Sequence, residues 1–137
     1  MNKLRSGQRV ARPESLLFLL EPVYHGAPYV RTGLDLGCEV VVVRRRRGPP
    51  NPEPREAETL LVKEIEDSTE VHRALHRRLQ ATRPRRVGVL PGNEWMVPIA
   101  AAVANRMQLP GNPPGAALAA RDKLNMRLAF HHAGVPC

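Results

Sequence analysis

Two uninterrupted apolar runs of strand length constrain the fold more than any other feature of this sequence. Ser15–Leu20 contains five apolar residues in succession, and Glu39–Val43 contains four consecutive valines. A strand that is apolar at every position has both faces buried, which is typical of a central strand in a parallel sheet covered by helices on each side. Valine also favours the extended conformation. We therefore expect an α/β domain with its sheet sandwiched between helices.

Further strands and helices alternate along the rest of the chain. Two shorter strands are predicted at Thr59–Val62 and Val87–Leu90. Capping residues and apolar periodicity predict the helices. These are Tyr29–Leu36, a helix N-capped by Ser68 and ending near Thr82, one beginning near Val97, a short Ala-rich helix, and Lys123–Ala133, capped by Asp122 and stopped by Gly134. The predicted fold class is a three-layer α/β domain with a mainly parallel, four-stranded, Rossmann-like sheet and a C-terminal helical linker.

The composition divides the chain into three segments. Residues 1–14 are polar and basic and are predicted to form an N-terminal arm, residues 15–112 the α/β domain, and residues 113–137 a helical linker. Within the domain, residues 44–56 begin with four arginines and hold four prolines in the six positions 49–54. Proline donates no backbone hydrogen bond, so this segment is predicted to be an exposed loop.

The chain has the composition of a globular protein. Its 137 residues are 42% hydrophobic and 25% charged, enough apolar residues for one core. No apolar run approaches the roughly 20 residues of a membrane-spanning helix, and the N-terminus lacks the apolar segment of a secretory signal. We expect a cytoplasmic protein without membrane contact. Cys38 and Cys137 lie too far apart for a zinc motif, and His72 and His76 lack a third ligand, so no metal site is predicted.

The net charge of +8 raises the question of a nucleic-acid partner. The positive charge is carried by 18 arginines and only 3 lysines. Basic proteins often bind nucleic acid, but aromatic residues make up only 4% of this chain and do not interleave with the basic runs. Nucleic-acid binding is therefore disfavoured. The run Arg44–Arg47 is interpreted as a solvated charge cluster or as a rim that faces an anion.

Candidate binding residues follow the predicted strands, because open α/β sheets bind ligands beyond the carboxyl ends of their strands. Glu94 follows the fourth strand, where its carboxylate could hold the amine of a substrate or only favour a helix N-terminus. Tyr24, His25 and Gly26 follow the first strand and are further substrate-binding candidates. The glycine patterns of dinucleotide sites and P-loops are absent, and no catalytic residue can be assigned.

Lys123 is a candidate for binding phosphate. It stands at the start of a predicted helix, where its charge adds to that of the helix N-terminus. The alternative is an ordinary surface lysine.

Residues 87–137 contain an ordered series of short motifs. The motifs are Val87–Glu94, Asn105–Gln108, Leu109–Pro114, Ala119–Lys123 and Ala133–Cys137. In order and spacing they resemble the N-terminal, pre-ATP-grasp part of ATP-grasp ligases, above all the branch that joins carboxylates to amines, including amino-acid ligases. Gln108 departs from the family pattern, which often has glycine there.

The resemblance implies a function. ATP-grasp ligases activate a carboxylate as an acyl phosphate, which an amine then attacks to form an amide or peptide bond. Lys123 corresponds to one lysine that contacts the ATP phosphates. The complete enzyme would use ATP and Mg²⁺, and the remaining parts of that site would follow Cys137. The resemblance therefore implies that residues 113–137 begin an ATP-grasp lobe, and that the chain is inactive without the remaining lobes, in the same or a separate chain.

Two further hypotheses accompany this one. Relatives of this kind are often dimers, so a homodimer is expected as well as an association with the remaining lobes. The alternative to the ligase hypothesis is a free-standing, non-catalytic α/β module that binds a small ligand or dimerises.

Overall fold

A computed structural model describes residues 13–23, 26–47 and 56–136. Within these residues the chain forms four strands, five α-helices and one short 3₁₀ turn at Glu94–Met96. The strands are β1 Ser15–Leu20, β2 Glu39–Arg45, β3 Glu58–Val62 and β4 Arg86–Pro91. The helices are α1 Ala27–Asp35, α2 Ser68–Thr82, α3 Val97–Arg106, α4 Pro114–Arg121 and α5 Lys123–His132. The predicted fold class is confirmed.

The four strands form one parallel sheet in the order β3-β2-β1-β4. Leu16 of β1 aligns with Glu39 of β2 on one side and with Val87 of β4 on the other. The chain thus moves outward from β1 to β2 and β3 and then crosses back to place β4 on the opposite side of β1. The segments that follow β1 and β4 leave the same edge of the sheet at this topological switch point, the usual ligand site of open α/β sheets.

Helices cover both faces of the sheet, as the apolar runs predicted. Leu16, Phe18 and Leu20 of β1 point to the face covered by α2 and α3, and all three are at most 2% exposed. Leu19 points to the opposite face, where it packs with Val30 of α1 and with valines of β2. Alternate residues of one strand therefore belong to two separate cores, so β1 is apolar at nearly every position.

The structure corrects the start of the predicted Arg/Pro loop. Arg44 and Arg45 belong to β2, and the backbone N–H of Arg46 still donates to the carbonyl oxygen of Val62 at 2.7 Å. The arginine side chains do not end the strand because its backbone groups remain paired with β3. Residues 48–55 of this loop, residues 1–12 of the basic arm and Cys137 lie outside the described residues.

The prediction of Ser68 as an N-cap is also wrong by one residue. Asp67 caps α2, because its carboxylate accepts a hydrogen bond from the backbone N–H of Thr69 at 2.8 Å. That bond is the largest cause lowering the pKa of Asp67. Aspartate and serine both favour this position, so residue type alone did not decide between two adjacent candidates.

Ion pairs join the elements at the amino edge of the sheet. Glu39 and Glu58 begin β2 and β3, and the guanidinium of Arg78 on α2 lies between them. Its Nε donates to Glu58 Oε2 at 2.8 Å, and its Nη1 donates to Thr82 Oγ1 at 2.9 Å. The hydrogen bond from Arg78 to Glu58, with the charges of both carboxylates, raises the pKa of Arg78.

The last two helices extend beyond the sheet. α4 packs on α3, and α5 packs on α4. The predicted Asp122 cap is confirmed, since its carboxylate accepts from the backbone N–H groups of Leu124 and Asn125 at 2.9 and 3.1 Å. No residue of α5 is buried, and its apolar side chains at Leu124 and Leu128 are 66% and 47% exposed. Across the described residues, no helix is long and apolar enough to cross a membrane.

Candidate functional site

Gly92 brings the segment after β4 into close contact with the segment after β1 at the switch point, and Gly26 allows the segment after β1 to fold back on itself. A Cβ atom on Gly92 would lie 2.4 Å from Pro22 Cα and 2.6 Å from the carbonyl oxygen of Leu20. A Cβ atom on Gly26 would also lie 2.4 Å from Pro22 Cα. Neither distance is compatible with a side chain, so only glycine permits this approach. The candidate residue Gly26 is thus buried against Pro22 and lines neither of the two clefts described below.

Glu21, directly after β1, forms hydrogen bonds to β2 and to the segment after β4. Its backbone N–H donates to the carbonyl oxygen of Val43, and its carboxylate accepts from the backbone N–H of Arg45 at 3.2 Å. Its own carbonyl oxygen accepts from Asn93 Nδ2 at 2.7 Å. Glu21 has φ 46°, a left-handed conformation that a non-glycine residue adopts only under such constraint.

Glu21 directly follows the predicted strand Ser15–Leu20, but its role and that of Asn93 were not predicted from the sequence. Their contact joins residues 72 positions apart, and no local pattern signals it.

A cleft of about 550 Å³ opens above this crossing. Its volume falls within the range of small-molecule pockets, roughly 300–1,000 Å³. Most of its lining is apolar, and two aromatic side chains on it, Tyr29 and Trp95, are 54% and 68% exposed. The lining residues are Val23, Tyr29, Pro91, Gly92, Asn93, Glu94, Trp95 and Val97. We call this the aromatic cleft.

Glu94 and Trp95 are both held by Arg121, the last residue of α4. Arg121 Nη1 lies 3.0 Å from Glu94 Oε1, and its guanidinium carbon lies 4.0 Å from the centre of the Trp95 ring. The Arg121 side chain is 24% exposed, whereas that of Glu94 is 76% exposed. An ion pair and a cation–π contact therefore fix the turn after β4 to the end of α4.

A second cleft of about 410 Å³ brings Glu94 and Lys123 together. Glu94, Val97, Ala120, Arg121, Lys123 and Met126 line it, and we call it the lysine cleft. Glu94 and Val97 line both clefts, so the two clefts adjoin. Glu94 and Lys123, two of the predicted binding residues, therefore lie on one continuous surface.

The environment of Lys123 bears on its suitability for phosphate. Lys123 is the first residue of α5 and is exposed, so its ammonium group is accessible. The Asp122 carboxylate, however, already accepts the backbone N–H groups of Leu124 and Asn125. Any phosphate contact would therefore use the Lys123 side chain rather than those two amides.

The other candidates from the sequence lie elsewhere. Tyr24 and His25 are outside the described residues. Arg45, Arg46 and Arg47 line a separate depression with Lys63 and Glu64, beyond β2 and β3. Arg45 is ion-paired with Glu66 there. Within residues 13–23, 26–47 and 56–136, no three His, Cys, Asp or Glu side chains converge as a metal site would require.

No protein-family profile and no curated protein sequence matches the chain. Among solved structures, an L-amino acid ligase from Bacillus licheniformis shares the fold with a TM-score of 0.70 at 19% sequence identity. The match covers 91% of this chain and 31% of the ligase, so the chain spans about a third of the ligase's length. A protein provisionally described as an epimerase, from Burkholderia cenocepacia, matches 58% of this chain and 26% of its own, with 20% identity and a TM-score of 0.40.

Proposed function

We propose that this chain is the N-terminal domain of an ATP-grasp ligase that activates a carboxylate as an acyl phosphate and joins it to an amine. Lobes carrying the rest of the ATP site, in the same or a separate chain, complete the enzyme, and the chain alone is inactive. The supporting observation is that nearly the whole chain adopts a fold found within an L-amino acid ligase, of which it spans 31%. The motif series of residues 87–137 supports the same proposal independently.

In this proposal Glu94 binds the ammonium group of an amino-acid substrate. Its Oε1 is paired with Arg121, but the side chain is 76% exposed, which leaves the carboxylate open to a second partner. A carboxylate pairs with an ammonium group through a charge-assisted hydrogen bond. The neighbouring Arg121 fixes the position of Glu94 before substrate arrives, which reduces the entropy lost on binding.

The chain supplies only part of the proposed ATP site. ATP would provide the phosphoryl group that activates the carboxylate, and the exposed ammonium group of Lys123 would contact its phosphates. The absence of converging carboxylates in the described residues means that ligands for Mg²⁺ would come from the other lobes. The domain's own contribution is to bind the substrate amine, to form one wall of the site and to present Lys123 beside it.

The test is ADP formation by the product of the complete gene, purified with any partner that encodes ATP-binding lobes. We expect ADP release that depends on added amino acids. Lys123→Ala should weaken ATP binding about tenfold or more, because one charge-assisted phosphate contact is lost, whereas Lys63→Ala, beyond the distant edge strand β3, should not. Amino-acid-independent ADP release, or equal effects of the two substitutions, would contradict the proposal.

The alternative function is a free-standing, non-catalytic module that binds a small ligand or forms a homodimer. The aromatic cleft is the observation that favours it, because a cleft of this size can bind a ligand without any ATP site. Ligand binding by the 137-residue chain, together with no ADP formation by the complete gene product, would favour this alternative.

A further inference from the structure

The aromatic cleft provides an apolar binding surface. Valine, proline, tyrosine and tryptophan side chains form most of its lining, and the rings of Tyr29 and Trp95 are more than half exposed. An aromatic ring that is exposed on the wall of a concave site offers a large contact area to a ligand at little cost in side-chain entropy.

The amide on this cleft is engaged within the protein, whereas the carboxylate is only partly engaged. Asn93 donates from Nδ2 to the carbonyl oxygen of Glu21 and accepts from the backbone N–H of Trp95 at 2.9 Å. Glu94 is paired with Arg121 through Oε1 alone, and its exposed carboxylate is the group proposed to bind the ligand's ammonium group. A polar ligand group that enters the cleft away from Glu94 would lose its hydration without gaining an equivalent partner from the Asn93 amide. The cleft therefore favours an apolar group over a polar one.

Arg121 contacts Trp95 but lines the lysine cleft, not the aromatic cleft. One part of the indole surface is thus covered by the guanidinium, and another part remains available to the aromatic cleft. Because Arg121 also holds Glu94, a single side chain sets the position of the apolar wall relative to the carboxylate. This fixed spacing suits a ligand that has an ammonium group close to an apolar group, such as an amino acid.

We propose that the aromatic cleft receives the side chain of an apolar or aromatic amino acid, and that Arg121 is the positioning residue that aligns Trp95 and Glu94 for it. This inference rests on the proposed function, which supplies the amino-acid substrate. It adds to that function a substrate class and a residue that acts through its neighbours.

The experiment exploits the fact that Trp95 is the only tryptophan of the chain. Its fluorescence is followed while the 137-residue protein is titrated with phenylalanine, leucine, aspartate or lysine. We expect saturable changes with phenylalanine and leucine, and at least tenfold weaker binding of aspartate and lysine. Equal responses to all four amino acids, or no response to any, would overturn the proposal.

Variants separate positioning from folding. Arg121→Ala should shift the emission of ligand-free Trp95 and weaken phenylalanine binding about tenfold, and Arg121→Lys should restore part of both. Arg77→Ala, an exposed arginine on α2, is the matched control and should change neither. Unchanged emission and affinity in Arg121→Ala would overturn the positioning role.

A further variant tests the cleft if Arg121→Ala fails to fold. Tyr29→Ala, which removes an exposed ring contributed by α1, should weaken phenylalanine binding at least fivefold while leaving thermal stability unchanged. Full phenylalanine affinity in a folded Tyr29→Ala variant would contradict the assignment of the cleft.

The inference and the proposed function fail separately. ADP formation by the complete gene product that is fastest with charged amino acids would overturn the substrate class and leave the ligase proposal intact. Selective binding of phenylalanine without any ADP formation would overturn the ligase proposal and leave the assignment of the aromatic cleft intact.

Discussion

The two edges of the sheet both carry ion pairs but differ in the groups that they leave exposed. At the amino edge, charged side chains are paired with one another: Arg78 with Glu39 and Glu58, and Arg86 with Glu14. At the carboxyl edge, hydrogen bonds of Glu21 and the close approach of Gly92 to Pro22 fix the crossing of the loops. The ion pairs of Arg121 with Glu94 and of Arg45 with Glu66 also lie at this edge, but exposed aromatic side chains remain beside the crossing. The amino edge therefore contributes to stability, whereas the carboxyl edge retains exposed groups that can bind a ligand.

The largest expected effect comes from filling the glycine contact at the carboxyl edge. Gly92→Ala should lower the free energy of unfolding by about 2–3 kcal/mol, because the added methyl group overlaps Pro22 and the strand carbonyl of Leu20. Chemical denaturation measures this loss.

Gly115→Ala is the matched control for this prediction. Gly115 lies in the first turn of α4, and a methyl group added there would meet no atom of another element within 4 Å. Alanine at this position should therefore be neutral or stabilise the fold by about 0.4–1 kcal/mol. Equal stability of the two variants would mean that the loops do not cross as closely as described.

Removing the ion pairs at the amino edge should have the next largest effect. Arg78→Met should destabilise the fold by about 1–2 kcal/mol, because Glu39 and Glu58 lose their shared cation. Arg77→Met, an exposed neighbour on α2, should change stability by less than about 0.5 kcal/mol.

The phenylalanine affinity of the Arg78→Met variant tests whether the two edges of the sheet are functionally separate. Arg78→Met should leave phenylalanine affinity unchanged at temperatures where the protein is folded. A large loss of binding in this variant would show that the two edges are not functionally separate.

Relieving backbone strain just after α3 should have a smaller effect and should increase the stability of the fold. Gln108 adopts φ 55°, so Gln108→Gly should raise the free energy of unfolding by about 0.5–1 kcal/mol by removing the left-handed penalty. Gln80→Gly, within α2, should instead lower it by about 0.5 kcal/mol. Thermal unfolding distinguishes the two signs, and destabilisation by both would contradict the assigned conformation of Gln108.

The smallest expected effect is a pH dependence at Asp67. Its folded-state pKa lies below its unfolded value because the charged carboxylate caps α2, so its stabilisation is present above the unfolded pKa and is lost as pH falls through the folded pKa. Asp67→Asn keeps a capping side chain that does not titrate. We expect stability to fall less steeply below about pH 4 in this variant. Identical slopes in the two proteins would contradict the capping role.

The local features of this fold were more predictable from the sequence than its long-range contacts. The apolar runs of β1 and β2 and the Asp122 cap depend on neighbouring residues, and the structure confirms them. Gln108 departs from the glycine that the resembling ligases often have there, and its left-handed backbone is a conformation that glycine favours.

The candidate site was predicted less completely, because its geometry depends on residues far apart in the chain. The rule that ligands bind beyond the carboxyl ends of strands identified the segments containing Glu21 and Glu94. It could not reveal that Arg121, 27 positions after Glu94, pairs with that carboxylate and contacts the adjacent Trp95. Nor could it show that Glu94 lies between two clefts.

The most direct test of the account maps the binding of phenylalanine by nuclear magnetic resonance on the isotope-labelled chain. We predict that chemical-shift changes concentrate at Tyr29 and at residues 92–97, with smaller changes at Arg121. The amino edge around Glu39, Glu58 and Arg78 should remain unchanged. Changes centred on the amino edge, or spread evenly over the chain, would contradict the assignment of the carboxyl edge as the binding edge.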